Sequence, residues 1–255
     1  MALMEFLSDN EVNTTTVFTT ASAGFTGSVA NLFDRNTVLA WGSTGYTTNT
    51  SAMLSIYFGT NTIISHIFLQ NHGLRQFRIF YNSLTANTFT PDINVSSNSA
   101  TSSYFSFNSI TVQSIHLQID RSIDNDDERS VGEWFSGERR SQFDVNPAIE
   151  NYKPVVFRKQ VRHEMPDGGI KLYNVRDKFR ADLKWEFITE SFKTELATVF
   201  NAAQAVYFVP FPTTTGWDGD ASEVVISGPF NFKYSSNVRD QGWSGSLRVE
   251  ETPNT

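Results

Sequence analysis

From Leu54 onward, the first half of the chain alternates apolar and polar side chains with a period of two. Leu54, Ile56 and Phe58 alternate with Ser55 and Tyr57; Ile64, His66 and Phe68 alternate with Ile67 and Leu69. Phe77, Ile79 and Tyr81 alternate with Arg78 and Phe80. Phe105 and Phe107 follow, then Ile115, Leu117 and Ile119 against His116, Gln118 and Asp120. Residues two apart share one face of a strand. Short β-branched and aromatic runs between polar loops therefore predict an all-β sandwich or barrel. No segment before residue 150 has a 3.6-residue pattern.

The charge is unevenly spread. Residues 1–120 hold nine charged side chains of the chain's 47, and the first lysine is Lys153. Such a step marks two domains with different surfaces, which a 255-residue chain can hold. With 22 Phe there is apolar material for sizeable cores. The absence of cysteine removes disulfides, thiolate metal sites and a Cys nucleophile. A net charge of −7 gives no general attraction to nucleic acid or an acidic membrane. The start, MALMEFLSDNEV, lacks a positive segment and a long apolar run, so no signal peptide is expected. No run of about 18 apolar residues is present to span a membrane.

ANLFDRNTVLAWGS (Ala30 to Ser43) reads as a loop held at both ends. Asp34 can turn its carboxylate back onto nearby backbone N–H groups, and Trp41 can bury a large ring. The segment resembles the early part of the F5/8 type C (discoidin) domains, of galactose-binding-like jelly-roll fold. SAMLSIYFGTNTIISHIFLQN resembles that family's next segment, a strand, a short turn after Gly, and a second strand. SITVQSIHLQIDRSI resembles a later core strand. VGEWFSGE (Val131 to Glu138) resembles the closing strand, which carries a Glu and returns beside the first. The resemblance covers residues 12–138, and departs from many extracellular members in having no cysteine. It also lacks an obvious row of exposed aromatics for sugar stacking.

The second half differs. Residues 139–153 read as a linker draped over a surface. Residues 155–164 and 170–175, joined by the Pro-Asp-Gly turn signal of MPDGG, predict a hairpin with a charged face. Residues 182–188 form a further strand. Phe192, Leu196, Val199, Phe200 and Ala203 then fall on one helical face, with Thr189 or Ser191 as cap and Glu190 and Glu195 at the positive end. Strands at 206–211, 223–226, 230–234 and 244–250 complete a β-β-β-α-β-β-β-β module. This order, with DLKWEFITESFKTELATVFNAAQAVYFVPFP, resembles the sandwich-plus-helix modules of tailed-phage distal tail and minor tail proteins, which share the tail-tube fold.

Motifs for chemistry are sparse. His66, His72, His116 and His163 have no metal-ligand spacing, and neither a nucleophile elbow nor a phosphate loop is found. The run Asp124 to Glu128 lacks the Gly and terminal Glu of a calcium loop and reads as a solvated acidic loop. Trp217 to Asp220 (WDGD) reads as an exposed turn. Asp34 and Glu133 would form a carboxylate pair if the closing strand lay beside the first loop; a glycosidase uses such a pair, a binding domain holds it in hydrogen bonds. The basic residues after Lys153 are interleaved with acids, which suits salt-bridged subunit contacts better than nucleic acid.

The expected fold is mainly β: an N-terminal jelly-roll β-sandwich (1–138), a linker (139–153), and an antiparallel β-sandwich or barrel with one packed helix (154–255). The expected role is a non-enzymatic structural component of a phage tail tip or baseplate in the virion, assembled in the host cytoplasm. It would form a homo-oligomeric ring, contact other tail proteins, and display the jelly roll for docking, host attachment or a surface glycan. The alternative is a stand-alone carbohydrate-binding or adhesion module. No cofactor, metal, catalytic residue, membrane or sequence-specific nucleic acid is expected. Asp34, Trp41 and Glu133 are expected as a structural clamp. Arg35, Asn36, Ser43 and Thr44 are the ligand candidates, provided that Arg75 or Arg78 comes close.

Overall fold

A computed structural model describes residues 3–21, 24–36, 38–44, 51–83, 87–124, 128–147, 152–165, 169–213, 217–234 and 242–252. In chain order the strands are β1 (Glu5–Leu7), β2 (Val17–Ala21), β3 (Gly24–Thr26), β4 (Trp41–Thr44), β5 (Ala52–Gln70), β6 (Leu74–Tyr81), β7 (Asn94–Val95) and β8 (Ser103–Ser122). They continue with β9 (Glu128–Val131), β10 (Glu133–Gly137), β11 (Arg139–Gln142), β12 (Lys153–Glu164), β13 (Ile170–Ile188), β14 (Val206–Val209), β15 (Ser222–Tyr234) and β16 (Trp243–Glu251). A short 3-10 turn covers Val29–Leu32, and α1 (Glu190–Asn201) lies between β13 and β14. The fold is mainly β, and the strand pairings are antiparallel.

The N-terminal sandwich packs a six-stranded sheet, β10-β5-β8-β6-β7 with β2 added on β5, against the three-stranded sheet β3-β4-β9. Leu54, Ile56, Ile64, Ile79, Leu117 and Ile119 fill its core with Trp41, Leu32 and Trp134. These are the inward positions of the period-two pattern. Residues 54–58 and 64–69, read as two strands around a turn, are one strand, β5. Gly59, Thr60 and Asn61 stay extended and exposed, and the pairing with β8 slips between Tyr57 and Thr62. A bulge takes up the polar interruption that a turn would otherwise have taken.

The second sheet runs β11-β1-β14-β15-β16-β13-β12. Residues 170–175 and 182–188 belong to the single strand β13, and 223–226 and 230–234 to β15, which bends at Gly228 (φ +79°) where its register with β16 shifts. The helix α1 matches its pattern: Thr189 caps it by accepting from Phe192 N–H, and Phe192, Leu196 and Val199 are buried. Ala203, assigned to the same face, lies beyond the helix end at φ +51°. Lys193 sits over the Trp243 ring at 3.7 Å.

The segment 139–153 is not a draped linker where it is described. Arg139–Gln142 is strand β11, paired with β1, and Phe143 is buried among Phe6, Trp185, Phe192 and Phe208. An apolar ring with a core within reach costs more left in water than buried. Residues 148–151 lie outside the described residues.

β1 ties the halves together. Phe6 points into the core of the second sheet, opposite Phe208. Glu5 and Leu7 point the other way, into the N-terminal sandwich, as alternation requires. Leu7, Tyr207, Val209 and Trp217 there meet Phe68, Tyr104 and Phe135 in a third core. Phe68 stacks on Phe135 at 4.4 Å, and Trp217 lies 5.3 Å from Phe68. Trp217, expected in an exposed turn, is therefore an interior anchor.

Beside this aromatic junction lies a buried polar cluster. Glu5 Oε2 accepts from His66 Nε2 and from the Tyr104 hydroxyl, both at 3.0 Å. Its Oε1 accepts from Gln142 Nε2 at 3.0 Å and faces the Arg139 guanidinium at 3.5 Å. A proton on Nε2 satisfies both ring nitrogens of His66, because Nδ1 then accepts from the Ser65 hydroxyl at 2.7 Å. Burial alone would raise the Glu5 carboxyl, but His66, Arg139 and Tyr104 together hold it below its ordinary value. Burial pushes His66 down, against the pull of the Glu5 carboxylate. Replacing Glu5 by Ala would remove the acceptor of four donors, two of which, His66 and Tyr104, are buried. Glu5→Ala is therefore expected to cost about 3–5 kcal/mol in urea unfolding, and Glu5→Gln clearly less. A loss below about 1 kcal/mol for Glu5→Ala would show that the aromatic junction holds the halves alone.

Candidate functional site

The loop from Gly27 to Trp41 is locked by its own side chains. Asp34 Oδ1 accepts from Asn36 N–H at 2.8 Å, Asn36 Oδ1 accepts from Val38 N–H at 3.1 Å, and Asn31 Nδ2 donates to Ala40 O at 3.0 Å. At Gly27 (φ +78°) a Cβ would stand 2.2 Å from Ala40 O, so the closure needs glycine. Trp41 is buried in the N-terminal core.

Glu133 receives this loop. Its Oε2 accepts from Arg35 N–H at 3.0 Å, with Arg35 in the left-handed region at φ +61°. The Arg35 guanidinium then reaches across to the second sheet. Nη1 donates to Glu223 Oε1 at 2.9 Å and to Thr252 Oγ1 at 2.7 Å, and the Thr252 hydroxyl donates to Glu223 Oε1 at 2.6 Å. The loop is thus strapped to both halves.

The strap separates two recesses. One, of about 300 Å³, is lined by Arg35, Gln70, Glu133, Tyr207, Asp220, Glu223, Glu251 and Thr252. Gln70 Nε2 donates to Gly219 O at its wall. The other, of about 410 Å³, lies on the far side of Arg35, Tyr207 and Glu223 and is lined by Asp9, Asn10, Asn13 and Asp34. Glu133 is buried, and its Oε1 has no hydrogen-bond partner among the described residues. Burial pushes its carboxyl up to about 8; Asp34 and Glu223 add to the rise, and the Arg35 N–H and guanidinium oppose it.

Asp34, Arg35 and Glu133 are therefore brought together, with Asn36 in the same loop. Ser43 is fully buried opposite Arg129 across β4 and β9, so it is not open to a ligand. Thr44 lies half-buried opposite Glu128. Arg75 and Arg78 are exposed on β6, with β8 and β5 between them and β10, and neither lines the recesses around Arg35. The condition set for a ligand role, an approach of Arg75 or Arg78, is not met at those recesses. The acidic run is described at Asp124 and Glu128; residues 125–127 lie outside the described residues. His66, His72 and His116 are buried and hydrogen-bonded to serine hydroxyls, and His163 is exposed. No group of three metal-ligating side chains is found among the described residues.

Gln70, Tyr207, Glu223, Glu251 and Thr252 escaped sequence reading. Arg35 and Thr252 lie 217 positions apart, so no local spacing links them. Asp220, read only as part of the exposed turn WDGD, lines the first recess.

No family model matches the sequence, and neither does any curated protein. Solved structures similar to about half of the chain include three carbohydrate-binding modules. Chitosan-binding module 1 of a chitosanase/glucanase from Paenibacillus sp. IK-5 is 12% identical over 50% of this chain and 97% of its own, with a TM-score of 0.40. The family 32 module from Streptococcus pneumoniae EndoD is 14% identical over 51% and 99%, with a TM-score of 0.40. CpGH89CBM32-5 from Clostridium perfringens, solved with GalNAc-beta-1,3-galactose, is 13% identical over 48% and 94%, with a TM-score of 0.37.

Glu133 gives the site a pH signature. The folded chain holds its proton to about pH 8, whereas the unfolded chain releases it near 4.5. Its contribution to stability is thus complete below about pH 4.5 and is lost as pH rises through about 8. Glu133→Gln removes that loss. Relative to the parent, the variant is expected to gain stability steadily between about pH 5 and 8, reaching about 1–3 kcal/mol. Denaturation midpoints across this range measure it; a pH-independent difference would mean that Glu133 is ionised in the folded chain.

Proposed function

We propose that the chain is a non-enzymatic building block that assembles through its C-terminal sheet and displays the N-terminal sandwich for docking or glycan contact. The observation that carries this reading is the arm formed by β12 and β13. β12 is the last strand of the seven-stranded sheet, twelve residues long, with one side unpaired by any described strand. Val155 and Val156, which alternate to opposite faces, are 53% and 67% exposed. Ile170 and Leu172 on β13 are exposed too. A charged arm that also leaves Val155, Val156, Ile170 and Leu172 exposed, with an edge that no described strand covers, offers a template for another strand. The partner it fits is a second copy of the chain, continuing the sheet from subunit to subunit. The finer assignment, a tail tip or baseplate ring of a phage, rests on the sequence resemblance of residues 152–251 alone.

The second reading is a stand-alone carbohydrate-binding module, the function named for the three similar structures. In this chain the specific observation in its favour is the polar recess at Arg35, Gln70 and Glu133. The full chain is the proper material for a glycan array, because β1 belongs to the second sheet and residues 1–138 alone would lose its partners. Glycan capture by a strict monomer would favour this reading over assembly.

Native mass spectrometry and negative-stain microscopy test the assembly. The parent chain is expected as a closed oligomer. Val156→Asp together with Leu172→Asp is expected to give monomers with a thermal midpoint close to the parent's, because both sites are exposed and such changes alter stability by about 0.5 kcal/mol or less each. A parent that stays monomeric at every concentration would sink the assembly reading.

A further inference from the structure

We propose that the recess beside Glu133 binds a small ligand through a primary ammonium group, and that the ligand class is the amino sugars. The proposal rests on the carbohydrate reading and makes it more specific. Besides Glu133, which holds its proton to about pH 8, the carboxylates of Asp220, Glu223 and Glu251 line this recess with a single guanidinium, that of Arg35. Arg35 is engaged with Glu223 and Thr252. Glu251 Oε2 is engaged with Phe179 N–H at 2.7 Å. The lining therefore carries more negative charge than its own cation neutralises.

The second observation is independent of that count. Glu133 is 2% exposed, its Oε1 makes no hydrogen bond among the described residues, and it lines the recess. A buried polar atom of this kind is costly unless something meets it. An ammonium has three donors and no acceptor, which suits an oxygen surrounded by other carboxylates. A neutral hydroxyl would meet Glu133 Oε1 without relieving the surplus charge. Around the carboxylates, Ser222 and the amide oxygen of Gln70 offer groups suited to the hydroxyls of a sugar ring. The volume, about 300 Å³, is at the small end for ligand pockets and suits a single ring rather than a chain.

The proton balance follows from the same geometry. Facing Glu133 are Asp34 and Arg35 from the loop, and Glu223 and Tyr207 from the second sheet. The bound ammonium favours ionised Glu133, so binding below about pH 8 releases a proton to solvent.

Glucosamine and glucose differ at one carbon, where an ammonium replaces a hydroxyl, and so isolate the charge. Calorimetric titration of the full chain is expected to give at least about tenfold tighter binding of glucosamine. Repeating it in two buffers of different ionisation enthalpy is expected to show proton release. Glu133→Gln is expected to erase the preference. Asp220→Asn, at the rim, is expected to weaken glucosamine by at least about threefold and serves if Glu133→Gln misfolds by circular dichroism. Equal binding of the two sugars would overturn the ammonium proposal and leave the carbohydrate reading standing. Silence of glucosamine up to saturation would overturn the proposal, and the glycan array then decides the carbohydrate reading separately. A preference that survives both substitutions would place the ammonium elsewhere and overturn it too.

Discussion

The rest of the structure depends on burying one carboxylate, that of Glu5, between two sheets. Removing such a group from water costs several kcal/mol even after the surroundings relax. Four side chains from three strands meet it: His66 from β5, Tyr104 from β8, Arg139 and Gln142 from β11. Each of these contacts has a fixed direction, unlike the ring packing beside it. Aromatic rings at Phe68, Phe135 and Tyr207 could slide and remain buried; the Glu5 cluster cannot slide without exposing an unpaired charge. The cluster thus sets how the sheets face one another, and the aromatic core supplies most of the apolar burial around it. β14, whose four residues are all buried, shows the result, a strand covered on both faces.

That division explains what could be read in advance. Where burial follows a local period, the sequence was legible: the alternation in β5, β6 and β8 marked the inward faces, and the α1 stripe with its Thr189 cap marked the helix. Strand lengths were not, because the exposed polar residues at Gly59 to Asn61 carry turn-like composition while the backbone runs straight through a bulge. β1 was illegible for a different reason. Three residues hold no period, and a glutamate near a chain start reads as surface until its partners, as far as 137 positions away, are in place. The linker expectation failed at Phe143 for the same reason: one aromatic among polar neighbours signals nothing until a core is present to receive it.

The candidate site divides along the same line. Asp34, Trp41 and Glu133 were legible because the first two bracket a single loop and the third lies on a strand of recognisable pattern. What the loop touches was not. Arg35 spans from the loop to Glu223 and Thr252, and the recess exists only because β15 and the chain beyond β16 stand opposite. Ser43 shows the limit of polarity as a guide, since a serine in a polar loop sequence lies fully buried inside a sheet pairing.

The layout also separates the two surfaces proposed to bind. The Glu5 cluster and the recesses lie at the β1–β14–β15 side of the seven-stranded sheet, while the uncovered arm lies at its other end. Five strand spacings separate β1 from β12, about 24 Å at the usual interval. A neighbour paired along β12 would therefore extend the sheet without covering Glu133 or Arg35. The long hairpin can be given up to a partner because it contributes none of the residues of the central cluster. The Arg35 strap, in contrast, is bound to the junction on both sides and stays with its own chain. A ligand in the recess would contact groups from both halves of one subunit. Its binding would thus report on the junction rather than on assembly, so the two proposals can be tested separately in one protein.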